Sequence, residues 1–206
     1  MDSEKIAKIA QIASCLEVSG YPKPGNVHRT RDFDDMVFED FLISGVVIGD
    51  TIRKAASSVD ANYPENAQMG KYILEAVKET DNWIANNTNL GIVMLLVPIS
   101  CAAAISNSFD EIRENVVKLM AVTTVDDAID LYDAINIADA GGMGDQDEYD
   151  VASENAKEEL RENNQTMYDV LKISAPWDRL ASELTTDMPT CFDIGLKTYS
   201  EVKNND

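Results

Sequence analysis

The stretch SEKIAKIAQIASCLEVSGYPKPG, Ser3 to Gly25, decides the fold class. Apolar residues recur at Ile6, Ile9, Ile12 and Leu16, three or four residues apart, the spacing of a helix and not of a strand. Ser3 is a candidate N-cap, because its hydroxyl can accept from an otherwise unpaired amide of the first turn. Pro22, Pro24 and Gly25 then stop the helix, since proline has no amide proton and glycine takes backbone angles that other residues avoid. The reading is a helix from Ser3 to about Ser19, followed by a loop.

The same period continues outward. DDMVFEDFLISGVVIGDTIRKAASSV (34–59) carries it through Phe38, Phe41, Leu42, Val46 and Ile52, and Pro64 marks the first turn of PENAQMGKYILEAVKET (64–80). LGIVMLLVPISCAAAI (90–105) follows a run of polar residues, Asn86 to Asn89. FDEIRENVVKLMAV (109–122) precedes TTVDDAIDLYDAINIAD (123–139), where Thr124 and Asp127 have the spacing of a capping arrangement. After the loop AGGMGDQDEYDV (140–151) come SENAKEELRENNQTMYDVLKIS (153–174), WDRLASEL (177–184) and a last helix from Pro189. No segment alternates with period two and no repeat is visible. The expectation is an all-α, single compact domain over residues 1–206, with about seven to nine helices.

With 206 residues and 45% hydrophobic content the chain can bury a real core. Its longest apolar run, residues 90–105, is broken by Pro98 and Ser100 and reads as a core helix, so no membrane span is expected. The N-terminus lacks a basic region followed by an apolar one, so no signal peptide is expected. Cys15, Cys101 and Cys191 are widely spaced in apolar surroundings, which argues against disulfides and zinc and for a cytoplasmic protein. The formal charge is −20, and residues 123–206 hold 20 acidic side chains against 6 basic ones. Such a surface repels nucleic acid and anionic lipid, which bind through basic footprints. ENVVKLMAV (114–122) is apolar enough for core or interface, so a homo-oligomer stays open.

Against that charge, Gly20 to Arg31 contains Lys23, His28, Arg29 and Arg31 and no acid. Glu17 and Lys23 flank the proline corner, where catalytic groups could be held in register, although the corner also reads as an ordinary helix-ending turn. Asp34 and Asp35 could hold a divalent cation against a phosphate, or simply complement a helix dipole. His28 could be a general acid or a phosphate contact. Asn89 could present an amide at a helix N-terminus, where anions bind, or Thr88 or Asn89 could merely cap that helix. Gly141, Gly142 and Gly144 would let a backbone approach a ligand closely, or end a helix.

Four blocks taken together, EVSGYPKPGNV (17–27), DMVFEDFLIS (35–44), TNLGIVMLL (88–96) and GGMG (141–144), resemble the triphosphoribosyl-dephospho-CoA synthase (CitG-like) family, from about residue 10 to about residue 145. The resemblance implies an all-helical, magnesium-dependent enzyme. It would take ATP and 3′-dephospho-CoA, join the ATP ribose C1′ to the acceptor's ribose 2′-hydroxyl, and release adenine. It implies Glu17 as base or metal ligand, Lys23 on phosphate and Asp35, with Asp34, at magnesium. Asn89 matches the amide of the family's T-N-T-H-K/R-G block, and Gly141 and Gly142 would admit nucleotide or pantetheine. The chain departs from the family where Asn89-Leu90-Gly91 lacks the histidine and basic residue, a short form similar to the archaeal branch. His28, Arg29 and Arg31 could supply that charge instead. A different phosphorylated acceptor, or a scaffold that has lost the chemistry, are the alternatives this departure leaves.

Overall fold

The computed structural model describes residues 1–139, 151–153 and 155–203. Helix α1 spans Ser3–Ser19 as expected, but its cap lies one residue earlier: Asp2, not Ser3, accepts from the Glu4 amide. Residues 34–59 form two helices, α2 (Phe38–Val47) and α3 (Gly49–Ser58), separated at Ile48. Both pack on α1. A Cβ on Gly49 would lie 2.3 Å from Gln11 Nε2, and one on Gly45 would lie 3.0 Å from Ser14 Oγ and Cys15 Sγ, so small residues bring these helices close.

Pro64 opens only a single 3₁₀ turn (Pro64–Asn66); the chain turns through Gln68 at φ 50° and α4 (Met69–Ile84) begins after it. α5 (Leu90–Ile105) is apolar on all sides, and Val93, Val97, Cys101 and Ala102 are fully buried, as expected of a central helix. α6 is Phe109–Ala121 and α7 Val125–Ala138, the latter started by the expected reciprocal cap between Thr124 and Asp127. Residues 153–174 also divide, into α8 (Ala156–Glu162) and α9 (Met167–Ser174). The break is at Asn164, with φ 50°, and a second reciprocal cap between Thr166 and Asp169 restarts the helix. α10 is Arg179–Thr185, and a π-helical segment (Thr190–Leu196) leads into α11 (Lys197–Lys203).

The protein is all-α, with no strand among the described residues and more helices than expected, because two long stretches are each split in two. One hydrophobic cluster runs from Ile6 to Met188, and a smaller one joins Val18, Val27 and Phe41. No single helix among the described residues is long and apolar enough to cross a membrane.

The packing of α4 on α7 positions the functional region. Gly70 meets Asp127 so closely that a Cβ there would lie 2.2 Å from the Asp127 carbonyl oxygen, and the Gly70 amide donates to Asp127 Oδ1 at 2.9 Å. Eleven residues further along each helix, Asp81 and Ala138 line the same cavity. A common offset between the two helices means that they run parallel, with the Gly70 contact at one end and the cavity about 17 Å away at the other.

Candidate functional site

The site has two neighbouring parts, a cationic corner and an acidic cavity. At the corner α1 ends on the Gly20 amide, which donates to the Glu17 carbonyl at 3.2 Å. The Tyr21–Pro22 peptide is cis, and Gly25 has φ 81°. The turn brings Lys23 back onto α1, with Nζ 2.5 Å from Glu17 Oε1 and 5.8 Å from the Phe41 ring centroid. The Lys23 side chain is 19% exposed and that of Glu17 40%. Lys23 Nζ is itself buried without an acceptor in hydrogen-bond geometry among the described residues. The Glu17 carboxylate pairs this shielded ammonium, whose remaining N–H donors have no protein acceptor among the described residues and are available to a ligand.

The rest of the loop divides by role. Arg29 donates through Nε (2.6 Å) and Nη2 to the Ser19 carbonyl, fastening the loop to the negative end of α1. His28 is buried: its ring meets Tyr21 edge-on at 5.5 Å and its Nδ1 lies 3.2 Å from Thr30 Oγ1. His28 and Arg31 exchange backbone hydrogen bonds at 3.0 and 2.8 Å. Arg31 is exposed, and its guanidinium makes no hydrogen bond or ion pair among the described residues. Of the four basic side chains expected at a phosphate, Arg31 is therefore uncommitted and Lys23 is paired with Glu17, while Arg29 is engaged in holding the loop and His28 is buried.

The cavity, about 230 Å³, lies between the loop before α2 (Asp35, Met36), the end of α4 with the turn after it (Val77, Thr80, Asp81, Ala85, Asn86, Asn87, Asn89) and the end of α7 (Ile137, Ala138, Asp139). Asn86 Nδ2 donates to the Asp35 carbonyl at 2.8 Å, joining two of these walls. Asn89 is buried and donates to Thr80 Oγ1 at 2.8 Å, so its amide does not cap α5; Asn87 Oδ1 instead accepts from the Leu90 amide at 3.3 Å. Every charged residue of the lining is acidic. On α7, Asp130 is held above the ordinary carboxylate range by partial burial, and then by repulsion from Asp127, Asp133 and Asp126. Met36 connects the two parts: it lines the cavity and packs against Val18, Val27 and Phe41 beneath Lys23.

Asp35 thus joins the cavity, whereas Asp34 is exposed and is not among the lining residues. No group of three metal-ligating side chains gathers among the described residues. Gly141 and Gly142 lie outside the described residues. Thr80, Asp81, Asn86, Asn87 and Asp139 are site residues that the sequence reading did not single out; the run Asn86-Asn87-Thr88-Asn89 was the available signal.

A sequence model of the CitG family, described as ATP:dephospho-CoA triphosphoribosyl transferase, matches residues 3–206. The chain belongs to this family. The match extends well beyond residues 10–145, where the quoted blocks lie, and covers α8 to α11 as well. No curated protein and no solved structure matches the chain. Membership makes this protein a transferase of the triphosphoribosyl-dephospho-CoA synthase type, in a family that acts in prosthetic-group biosynthesis.

Proposed function

We propose that the protein transfers the triphosphoribosyl group of ATP to the 2′-hydroxyl of 3′-dephospho-CoA and releases adenine. The observation that carries this reading is the buried, incompletely paired Lys23 ammonium against Glu17. In the free enzyme each neutralises the other. An incoming triphosphate competes for Lys23, with Arg31 as a second contact, and so releases the Glu17 carboxylate to act as base. The C1′–N9 bond of ATP breaks as the C1′–O2′ bond forms. Glu17 takes the hydroxyl proton, which ends on the departing adenine, so atoms and charge balance. Developing positive charge at C1′ is favoured near a negatively charged cavity wall.

The division of charge supports the same arrangement. A bare polyphosphate is repelled by Asp35, Asp81 and Asp139 and attracted to the corner, so the cavity suits the uncharged nucleoside end, with Asn86 and Asn87 as hydrogen-bonding groups. Magnesium fits this donor set, because it needs only one or two carboxylates and takes its other ligands from water and phosphate. Asp35 and Asp81 are the residues that would hold it, and it would supply neutralisation of the phosphate charge. The same reading keeps the protein in the cytoplasm, as one folded unit over residues 1–206.

Incubation with ATP, magnesium and dephospho-CoA, followed by chromatography, tests the proposal. Free adenine is expected in step with consumption of dephospho-CoA. The missing basic residue at Leu90 favours a second reading, a different phosphorylated acceptor; binding of ATP without adenine release on dephospho-CoA would support it. Absence of ATP binding by the folded protein would instead leave a non-catalytic scaffold.

A further inference from the structure

The apolar stripe that announced α1 in the sequence is largely on the outside. Ile6 is buried, but Ile9, Ile12 and Leu16 are 48%, 58% and 65% exposed, and the core face consists of Ile6, Ala7, Ala10, Ser14 and Val18. α2 lies antiparallel beside α1: Gln11 Nε2 donates to the Val46 carbonyl at 2.6 Å and Cys15 Sγ to the Leu42 carbonyl at 3.8 Å. On α2, Val46 and Ile43 are also exposed, by 57% and 42%. The two helices therefore offer one outer face bearing five large aliphatic side chains.

We propose that this face joins a second copy of the chain as a two-fold symmetric dimer. Area supports this occupant. At roughly 100 Å² of exposed surface per side chain, the five give about 500 Å², at the upper end of what a monomer leaves open. Two such faces bury about 1,000 Å², and a polar rim brings the total into the range of specific interfaces, which begins near 1,200 Å².

The order of residues is also self-complementary. Two α1 helices crossing antiparallel about a point between Ile12 and Ala13 set Ile9 of one against Leu16 of the other, twice, with Ile12 at the centre. From Ile9 to Leu16 α1 carries no charged residue, and Lys8 and Glu17 fall at the ends of the contact. The uncharged patch is a permissive surface for association between chains of charge −20.

Sedimentation equilibrium on the full chain tests the proposal. The expected result is a dimer of about 45 kDa, twice 22.7 kDa, that tightens as salt rises, because salt screens repulsion between the acidic bodies. Ile12→Glu and Val46→Glu, both at exposed positions, are expected to give monomers with unchanged helical circular dichroism and at least tenfold weaker association. Tyr199→Glu, on the separate exposed face of α11, is expected to leave the dimer intact. A wild-type monomer at about 100 μM protein in high salt overturns the proposal. So does a dimer that survives Ile12→Glu and Val46→Glu, or one that is lost with Tyr199→Glu.

Discussion

Replacing Lys23 with Met separates binding from stability at the corner. Lys23 Nζ is buried, but its partner Glu17 is 40% exposed and stays solvated once the cation is gone, so the ion pair itself contributes about 0–1 kcal/mol. Loss of the cation over Phe41 adds about 0.5–1 kcal/mol, and the apolar stem of Met keeps the packing. Lys23→Met should therefore cost about 0.5 to 2 kcal/mol in urea unfolding. A charge-assisted hydrogen bond to a phosphate contributes about 1.5–3 kcal/mol, so ATP binding should weaken roughly 10- to 150-fold. Isothermal titration of wild type and variant with ATP and magnesium reads this directly. An ATP affinity unchanged within about twofold in the folded variant would refute the reasoning. So would a stability loss beyond about 3 kcal/mol, which would make Lys23 a structural strut.

Two further outcomes test the scaffold. Gly70→Ala puts a Cβ 2.2 Å from the Asp127 carbonyl oxygen, a backbone atom that cannot turn aside, and strains the Gly70 amide bond to Asp127 Oδ1. It should cost about 2–5 kcal/mol in urea unfolding, and an unchanged midpoint would contradict the close packing of α4 on α7. Glu183 is buried, which raises its carboxyl, but bonds from the Thr190 and Cys191 amides at 2.9 and 3.1 Å outweigh this and hold it below the ordinary glutamate range. Its folded-state value is depressed, so its contribution is present above an unfolded value of about 4.3 and is lost as pH falls below it. The stability gap between wild type and Glu183→Gln should accordingly be full at neutral pH and shrink in acid; a gap independent of pH would contradict this.

How much the sequence disclosed depended on the range of the interaction. Local signals were legible: the proline corner after Ser19, the all-apolar α5 and the Thr124–Asp127 cap all stand where their chemistry puts them. The Thr166–Asp169 cap carried the same signal within residues 153–174 and marks the start of α9. The buried side of α1 was not legible, because Ala7, Ala10 and Ser14 are chosen by the close approach of α2 and α3, and larger aliphatic residues dominate any hydrophobic period. The α2–α3 break at Ile48 likewise lies beside a contact distant in sequence, that of Gly49 with Gln11. At the site, Glu17 and Lys23 are six residues apart and could be read together. Asp81 and Asp139 are joined only through parallel packing of α4 and α7, which a Gly70–Asp127 contact sets from the far end. Asn89 was legible as a polar residue at a helix start, but its bond to Thr80 is a tertiary feature.

The central claim is that the Glu17–Lys23 corner performs the transfer, and Glu17→Gln tests it most directly. Gln preserves the shape and releases the Lys23 ammonium from its ion pair for phosphate, so ATP affinity should stay at or above that of wild type while the base is lost. Adenine release from ATP and dephospho-CoA should then fall at least about 100-fold, the usual contribution of a general base. Release at the wild-type rate by a folded, ATP-binding Glu17→Gln protein would contradict the account.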